Sequence, residues 1–238
     1  MSEPSRILLI HGAWGRADSW RGLARLLERK GHEVTAIDLP GHGDDPTPPE
    51  TVRLADYAAR IVEELEKGPP ALLVGHSMGG MAISAAAEIA PGRIRKLVYL
   101  CAFLPRDGDS LLSLKKREPP TIGDAVRPGP VQGTTVLDPE AAVEFLCHDG
   151  SDAVKRQVQE GLGPQSNKAQ TDPVHLTEAR FGSVPRAYIL CEDDRTITPG
   201  LQRAMATETP CEQVLSLPSG HLPQLTAPLA LADLLDGL

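Results

Sequence analysis

No stretch of this 238-residue chain approaches the roughly 18 consecutive apolar residues that a membrane-spanning helix needs, so no membrane partner is expected. Basic runs are missing too. With 24 Lys and Arg against 32 Asp and Glu, the net charge is -8, which argues against a nucleic-acid partner. Cysteine is sparse: Cys101, Cys147, Cys191 and Cys211 show no close pair, so neither a zinc site nor any other metal is expected, and all four read as reduced, structural thiols. The start, MSEPSR, is polar and runs almost at once into an apolar segment. That leaves no room for a signal peptide, and a cytoplasmic location is the expectation. Internal repeats, a low-complexity tail and a break in composition are all lacking, which favours one large domain.

What is present is alternation. Arg6 to Ile10 reads as a strand and Ser19 to Lys30 as a helix with Trp20, Leu23, Leu26 and Leu27 on one face. Val34–Ile37, the run from Ala71, Ile94–Cys101, Arg186–Cys191 and Glu212–Leu217 read as further strands, six in all. Between them fall helical patterns at Leu54–Lys67, the alanine-rich stretch to Ala90, Pro199–Thr207 and Pro223–Leu235. Strands that are apolar throughout, alternating with helices, predict an α/β fold: a mostly parallel sheet covered on both faces. The rhythm breaks between Phe103 and Pro185. That segment holds a Pro- and Gly-rich part (115 to 133), no convincing long strand, and short helical patterns at Pro139–Cys147, Asp152–Leu162 and Pro173–Arg180. A structureless loop of that length is unusual in a compact domain. We therefore expect a core of residues 1–103 and 185–238 with an inserted helical cap at 104–184.

The segment LLVGHSMGGMA carries Gly75, His76, Ser77, Met78 and Gly79 in the pattern G-x-S-x-G, with a strand before it and a helix after. A sharp strand-to-helix turn holds its central residue in a strained conformation and aims the serine oxygen out at the carboxyl edge of the sheet. Bulky side chains two positions either side would collide there, and both positions are glycine. A serine hydroxyl is a poor nucleophile without a neighbouring base. Among seven histidines, His221 in LPSGHLPQL follows the last strand and opens the last helix, which places it at the same edge. His32, after a helix stop, reads as solvent-exposed. His148 and His175 read as surface residues of the cap, His11 and His42 as structural loop residues, and His76 as a group that orients backbone. A carboxylate must hold the base in the right tautomer, and in YILCEDDRTITP both Asp193 and Asp194 qualify on spacing. Donors for an oxyanion are expected from the N–H of Met78 and from the loop IHGAWG, where Gly12 permits close approach and Ala13 offers its N–H.

With these residues the sequence resembles the α/β-hydrolase superfamily, and within it the branch of plant methyl esterases, hydroxynitrile lyases and bacterial pyrethroid-hydrolase-like esterases. LLIHGAWGRADSW, VTAIDLPGHGDD, LLVGHSMGG, KLVYLCAFLP, PRAYILCEDDRTITP and PSGHLPQLTAPLALADLL carry the resemblance across both ends of the chain. The order Ser, Asp, His is that of the superfamily. The resemblance implies Asp194 rather than Asp193 as the acid. It also implies ester hydrolysis over cyanohydrin cleavage. Leu222 stands where the plant lyases often carry a lysine, and Gly12 where they carry Thr or Asn.

The expected activity is therefore serine hydrolysis of a small carboxylic ester through an acyl-enzyme, with catalytic Ser77, His221 and Asp194, and Ala13 and Met78 as the oxyanion hole. No cofactor is implied. Gly12, Trp14, Leu111, Leu112, Phe145 and Leu146 are the expected substrate-binding residues. The rival readings are a lyase or an acyltransferase using the same triad, or a receptor that keeps only the pocket. Relatives in the branch are often dimers, which makes a homodimer a further expectation of the resemblance.

Overall fold

A computed structural model describes residues 4–238. Residues 1–3, part of the polar start behind the expectation of no leader, lie outside the described residues. The chain runs through β1 (Arg6–Ile10), α1 (Arg21–Arg29), β2 (Glu33–Ile37), α2 (Leu54–Leu65), β3 (Ala71–His76), α3 (Gly79–Ile89) and β4 (Ile94–Leu100). Next come α4 (Leu111–Lys115), β5 (Val126–Pro128), β6 (Thr134–Leu137), α5 (Pro139–Leu146), α6 (Asp152–Gly161), β7 (Gln165–Ser166) and α7 (Asn167–Thr171). The closing elements are β8 (Arg186–Cys191), α8 (Pro199–Glu208), β9 (Gln213–Leu217), α9 (Pro223–Thr226) and α10 (Pro228–Asp236).

Six strands form one parallel sheet in the order β2-β1-β3-β4-β8-β9. Composition decides which strands are central. Every residue of β1 (RILLI) and β3 (ALLVGH) is buried, whereas β2 and β9, at the edges, each fully bury only one. One face of the sheet is covered by α2, α3 and α8, with Leu8, Leu73 and Tyr99 packed against Ile61, Met81 and Met205. The other face is covered by α1 and α10, with Leu9, Val74 and Val98 against Leu23, Leu27 and Leu231. Helix α3 (GGMAISAAAEI) is buried on nearly every side, and small residues let it lie that close to the sheet. Among the described residues no helix is long and apolar enough to cross a membrane.

Segment 104–184 contains α4 to α7 and also a three-stranded antiparallel sheet, β5-β6-β7, that the helical patterns of the sequence do not include. Those strands are three, four and two residues long, too short to show a period in sequence. The helix expected at Pro173–Arg180 does not form. The amides of Val174, Leu176 and Thr177 donate instead to Asp109 O, Asp107 Oδ1 and Glu88 Oε2, so tertiary acceptors replace the helical ladder. The helix expected at Pro223–Leu235 is broken at Ala227, because Pro228 supplies no N–H and disfavours helical backbone in the residue before it. The segment joins the core through a third apolar cluster, in which Trp14 packs with Ile122, Leu137, Val143, Leu146 and Val158.

Candidate active site

The turn after β3 is tight. Ser77 has φ +54, in the left-handed region that non-glycine residues rarely adopt. A Cβ on Gly75 would sit 2.7 Å from Gly79 O, and one on Gly79 would sit 2.9 Å from both Ile10 O and His11 O. Glycine is therefore required on each side of the serine. Ser77 O accepts from the amides of Gly80 and Phe103, which ties the turn to the first turn of α3 and to the chain leaving β4.

His221 lines a cavity together with Ser77 and meets Asp194 in a buried pair. His221 Nδ1 lies 2.8 Å from Asp194 Oδ2, and the two side chains are 1% and 0% exposed. Asp194 accepts three further hydrogen bonds: Thr196 N at 2.7 Å and Ile197 N at 3.0 Å on Oδ1, and Gln202 Nε2 at 2.9 Å on Oδ2. Four donors satisfy the buried carboxylate and fix its direction. Asp193, the other acid allowed by spacing, is exposed. The main chain of His221 is held as well, because its carbonyl accepts from His76 Nε2 at 2.7 Å and from Cys101 Sγ at 3.4 Å. Side-chain donor atoms of His76, Cys101 and His221 lie within 4.8 Å of one another. The contacts of His76 and Cys101 with that carbonyl account for this grouping as an anchor for the histidine loop.

The first loop lies against the serine. A Cβ on Gly12 would come within 2.8 Å of Ser77 Cβ, so only glycine lets this backbone pass. Among the described residues, neither Ala13 N–H nor Met78 N–H donates to a protein acceptor. Two buried histidines shape the loop. His11 Nε2 accepts from Leu39 N, so its Nδ1 carries the proton and donates to Gly12 O at 2.8 Å. His42 Nδ1 donates to Gly15 O, and its Nε2 accepts from the Tyr57 hydroxyl at 2.9 Å. Burial holds both imidazoles neutral. It lowers the His11 pKa and, with the nearby His11, brings that of His42 down to about 3. Burial, reinforced by His221, lowers His76 well below its usual value.

These three histidines take up protons on unfolding. An unfolded imidazole titrates near 6.5, so their contribution to stability is present above that pH. It is lost as pH falls from about 6.5 toward the folded-state values, at roughly 1.4 kcal/mol per pH unit for each group. We expect the urea midpoint to drop steadily between pH 7 and pH 5, before the carboxylates protonate. A midpoint constant over that range contradicts the assignment of three neutral buried imidazoles.

Ser77 lies where two cavities meet. The first, of about 80 Å³, is lined by Gly12, Leu146, Leu162, Leu222 and Leu225 together with Ser77 and His221. The second, of about 500 Å³, is lined by Phe103, Leu111, Leu112, Ile122 and Val126 together with Ser77. Ala13, Trp14 and Thr196 line both, and His221 lines only the smaller. Of the expected pocket residues, Phe145 lines neither cavity. Its side chain packs against the cluster around Trp14, and its carbonyl accepts from Thr196 Oγ1. His32 is not solvent-exposed either, as its ring is buried between Ser5 N and Asp236 Oδ1. His175 is exposed, and His148 is half-buried beside Gly220.

Residues 7–234 match the model of the Alpha/beta hydrolase family. The chain belongs to that family. Methylesterase 7 of Arabidopsis thaliana is 28% identical over 98% of this chain and 96% of its own length. The alpha-hydroxynitrile lyase of the same plant is 28% identical over 100% of this chain and 98% of its own. Among solved structures, a pyrethroid hydrolase from Sphingobium faniae JZ-2 superimposes with a TM-score of 0.84 at 28% identity, covering 98% of this chain and 96% of that one. All three kinds of relative implied by the sequence motifs are represented.

In this α/β hydrolase, several groups around Ser77, His221 and Asp194 carry no motif. Gln202 is fully buried. Its Nε2 donates to Asp194 Oδ2 and Ile197 O, and its Oε1 accepts Cys191 N. The signal for it in sequence is faint: a glutamine on the face of α8 that also buries Leu201, Met205 and Ala206. Asp149, from segment 104–184, accepts Gly220 N at 2.8 Å, next to His221. Thr196 and Ile197 act through backbone amides, which no side-chain pattern reports.

Proposed function

We propose that this α/β hydrolase is a serine esterase that cleaves a carboxylic ester through an acyl-enzyme, with Ser77 as nucleophile, His221 as base and Asp194 as the acid that orients it. The observation that carries the reading is the buried His221–Asp194 hydrogen bond of 2.8 Å at the edge of a cavity shared with Ser77. With Nδ1–H donated to Asp194, the Nε2 of neutral His221 is the basic nitrogen. It takes the proton of Ser77 as the hydroxyl oxygen attacks the ester carbonyl. The N–H groups of Ala13 and Met78 receive the oxyanion, each worth roughly 3 kcal/mol in the transition state. His221 then delivers its proton to the leaving alcohol. Water, deprotonated by the same nitrogen, hydrolyses the acyl-enzyme and restores Ser77.

The two cavities divide the substrate. The leaving oxygen must lie within reach of His221, which lines only the cavity of about 80 Å³, so the alcohol half is small. The acyl half then occupies the apolar cavity of about 500 Å³, which has room for a ring or a branched chain. Leu222, next to the base, is apolar and offers no charge to a departing cyanide, and Arg16, which also lines the small cavity, is paired with Asp44, which favours an ester over a cyanohydrin whose leaving group is an anion.

A panel of esters tests this by pH-stat titration. With ethanol as the alcohol, kcat/KM is expected to rise at least about tenfold from acetate to phenylacetate. With phenylacetate as the acyl group, it is expected to fall at least about tenfold from the ethyl to the benzyl ester. The opposite order overturns the division of the cavities. A fluorophosphonate is expected to label Ser77. An inert ester panel without labelling, or cyanide release from mandelonitrile in place of ester hydrolysis, overturns the esterase reading.

A further inference from the structure

Helix α4 ends in Lys115, whose ammonium is committed to three acceptors: Glu118 Oε1 at 2.6 Å, Thr196 O at 2.6 Å and Thr121 Oγ1. Thr121 Oγ1 itself donates to Thr196 O at 2.7 Å. The other oxygen of Glu118, whose side chain is 2% exposed, accepts Thr198 N at 2.8 Å. None of these groups belongs to the triad positions, and none is marked by a motif. They are joined to Asp194 by a single covalent plane. Thr196 C=O and Ile197 N–H are the two ends of one peptide unit. The oxygen end is held by Lys115 and Thr121, and the N–H end donates to Asp194 Oδ1 at 3.0 Å. Because a peptide is planar and its C=O and N–H point in opposite directions, fixing the oxygen fixes the direction of the N–H. A cation on the oxygen also polarises the unit, strengthening the hydrogen bond it donates at the far end.

We infer that Lys115 is a positioning residue for Asp194, acting through the Thr196–Ile197 peptide, with Glu118 as the buried counter-charge that holds the ammonium in place. The inference rests on the esterase reading, since it assigns a role in orienting the triad acid. Segment 104–184 thereby supplies part of the support for the acid as well as the wall of the large cavity, which Lys115 also lines.

The test uses the full chain and ethyl phenylacetate. Lys115→Met keeps the aliphatic stem and removes the ammonium, and Lys115→Met with Glu118→Gln also removes the stranded carboxylate. In the double variant kcat is expected to fall by about 10- to 100-fold, the range that displacement of a catalytic group produces, in addition to any change in KM that follows from the place of Lys115 in the cavity wall. The far-downfield proton resonance of His221 Nδ1–H is expected to move or broaden. Lys115→Arg, which keeps a cationic donor, is expected to recover kcat to within about threefold of the parent. A double variant that folds with parental kcat and an unmoved resonance overturns the inference, as does a loss confined to KM. Failure of the parent itself to hydrolyse the ester overturns the esterase reading instead, so the two failures are distinguishable.

Discussion

Ser77→Ala is expected to cut ester hydrolysis by on the order of 10⁴- to 10⁶-fold in kcat while leaving the fold in place. The size of the loss follows from the division of labour at the site. In the proposed mechanism His221 reaches the leaving alcohol and the water only after Ser77 has attacked, and Asp194 acts only through His221, so removing the serine oxygen idles all three groups together. The donors proposed at Ala13 and Met78 remain to polarise a carbonyl, which leaves a residue of catalysis over water. The fold survives because the substitution deletes one atom and keeps the Cβ. The strain of φ +54 is the same for Ala as for Ser, and the backbone bonds of residue 77 to Leu100, Gly80 and Phe103 are untouched. A pH-stat assay and a thermal melt on the same preparation check both halves. Retention of more than about 1% of parental kcat contradicts the nucleophile assignment.

Asp194→Asn is expected to be nearly as costly, on the order of 10³- to 10⁴-fold in kcat, through a change of tautomer. Both oxygens of Asp194 are needed as acceptors. Oδ1 takes the amides of Thr196 and Ile197, and Oδ2 takes Gln202 Nε2 and His221 Nδ1. An asparagine has only one acceptor end. With its oxygen toward the two backbone amides, its NH₂ faces His221 and turns Nδ1 into an acceptor. The imidazole proton then sits on Nε2, directed toward the serine, and the base is gone. With the amide reversed, its NH₂ opposes two backbone N–H groups that cannot move. KM for ethyl phenylacetate is expected to change little, because Asp194 lines neither cavity. Loss of the downfield His221 proton signal in this variant checks the tautomer directly. Full activity in Asp194→Asn excludes the acid role.

The core was legible because its signals are local. A strand such as RILLI or ALLVGH, buried on both faces, carries an unbroken apolar run, and the structure places both inside the sheet, away from its edges. The serine turn was legible because close contacts at Gly75 and Gly79 admit no side chain, which leaves a spaced pattern in the chain. Segment 104–184 was legible only as an interruption. Its strands are held by pairing with partners up to dozens of residues away, as Thr134 pairs with Ser166. Its expected last helix gave way to hydrogen bonds with Asp107, Asp109 and Glu88. Residues supporting the acid were hidden for a related reason: Gln202 and Lys115 carry ordinary helix-forming side chains, and only contacts across the fold distinguish them.

Local chemistry along the chain thus determined the alternation of strands and helices, the position of the serine and the short list of partners for it. It left two adjacent aspartates equivalent, since spacing cannot say which side chain turns inward. Folding separated them: Asp194 is buried under four donors and Asp193 faces solvent. The unequal cavities on the two sides of Ser77 were likewise decided only in three dimensions, because their walls come from residues far apart in the chain. A cavity is the space that packing leaves between such residues, and no single segment encodes its volume.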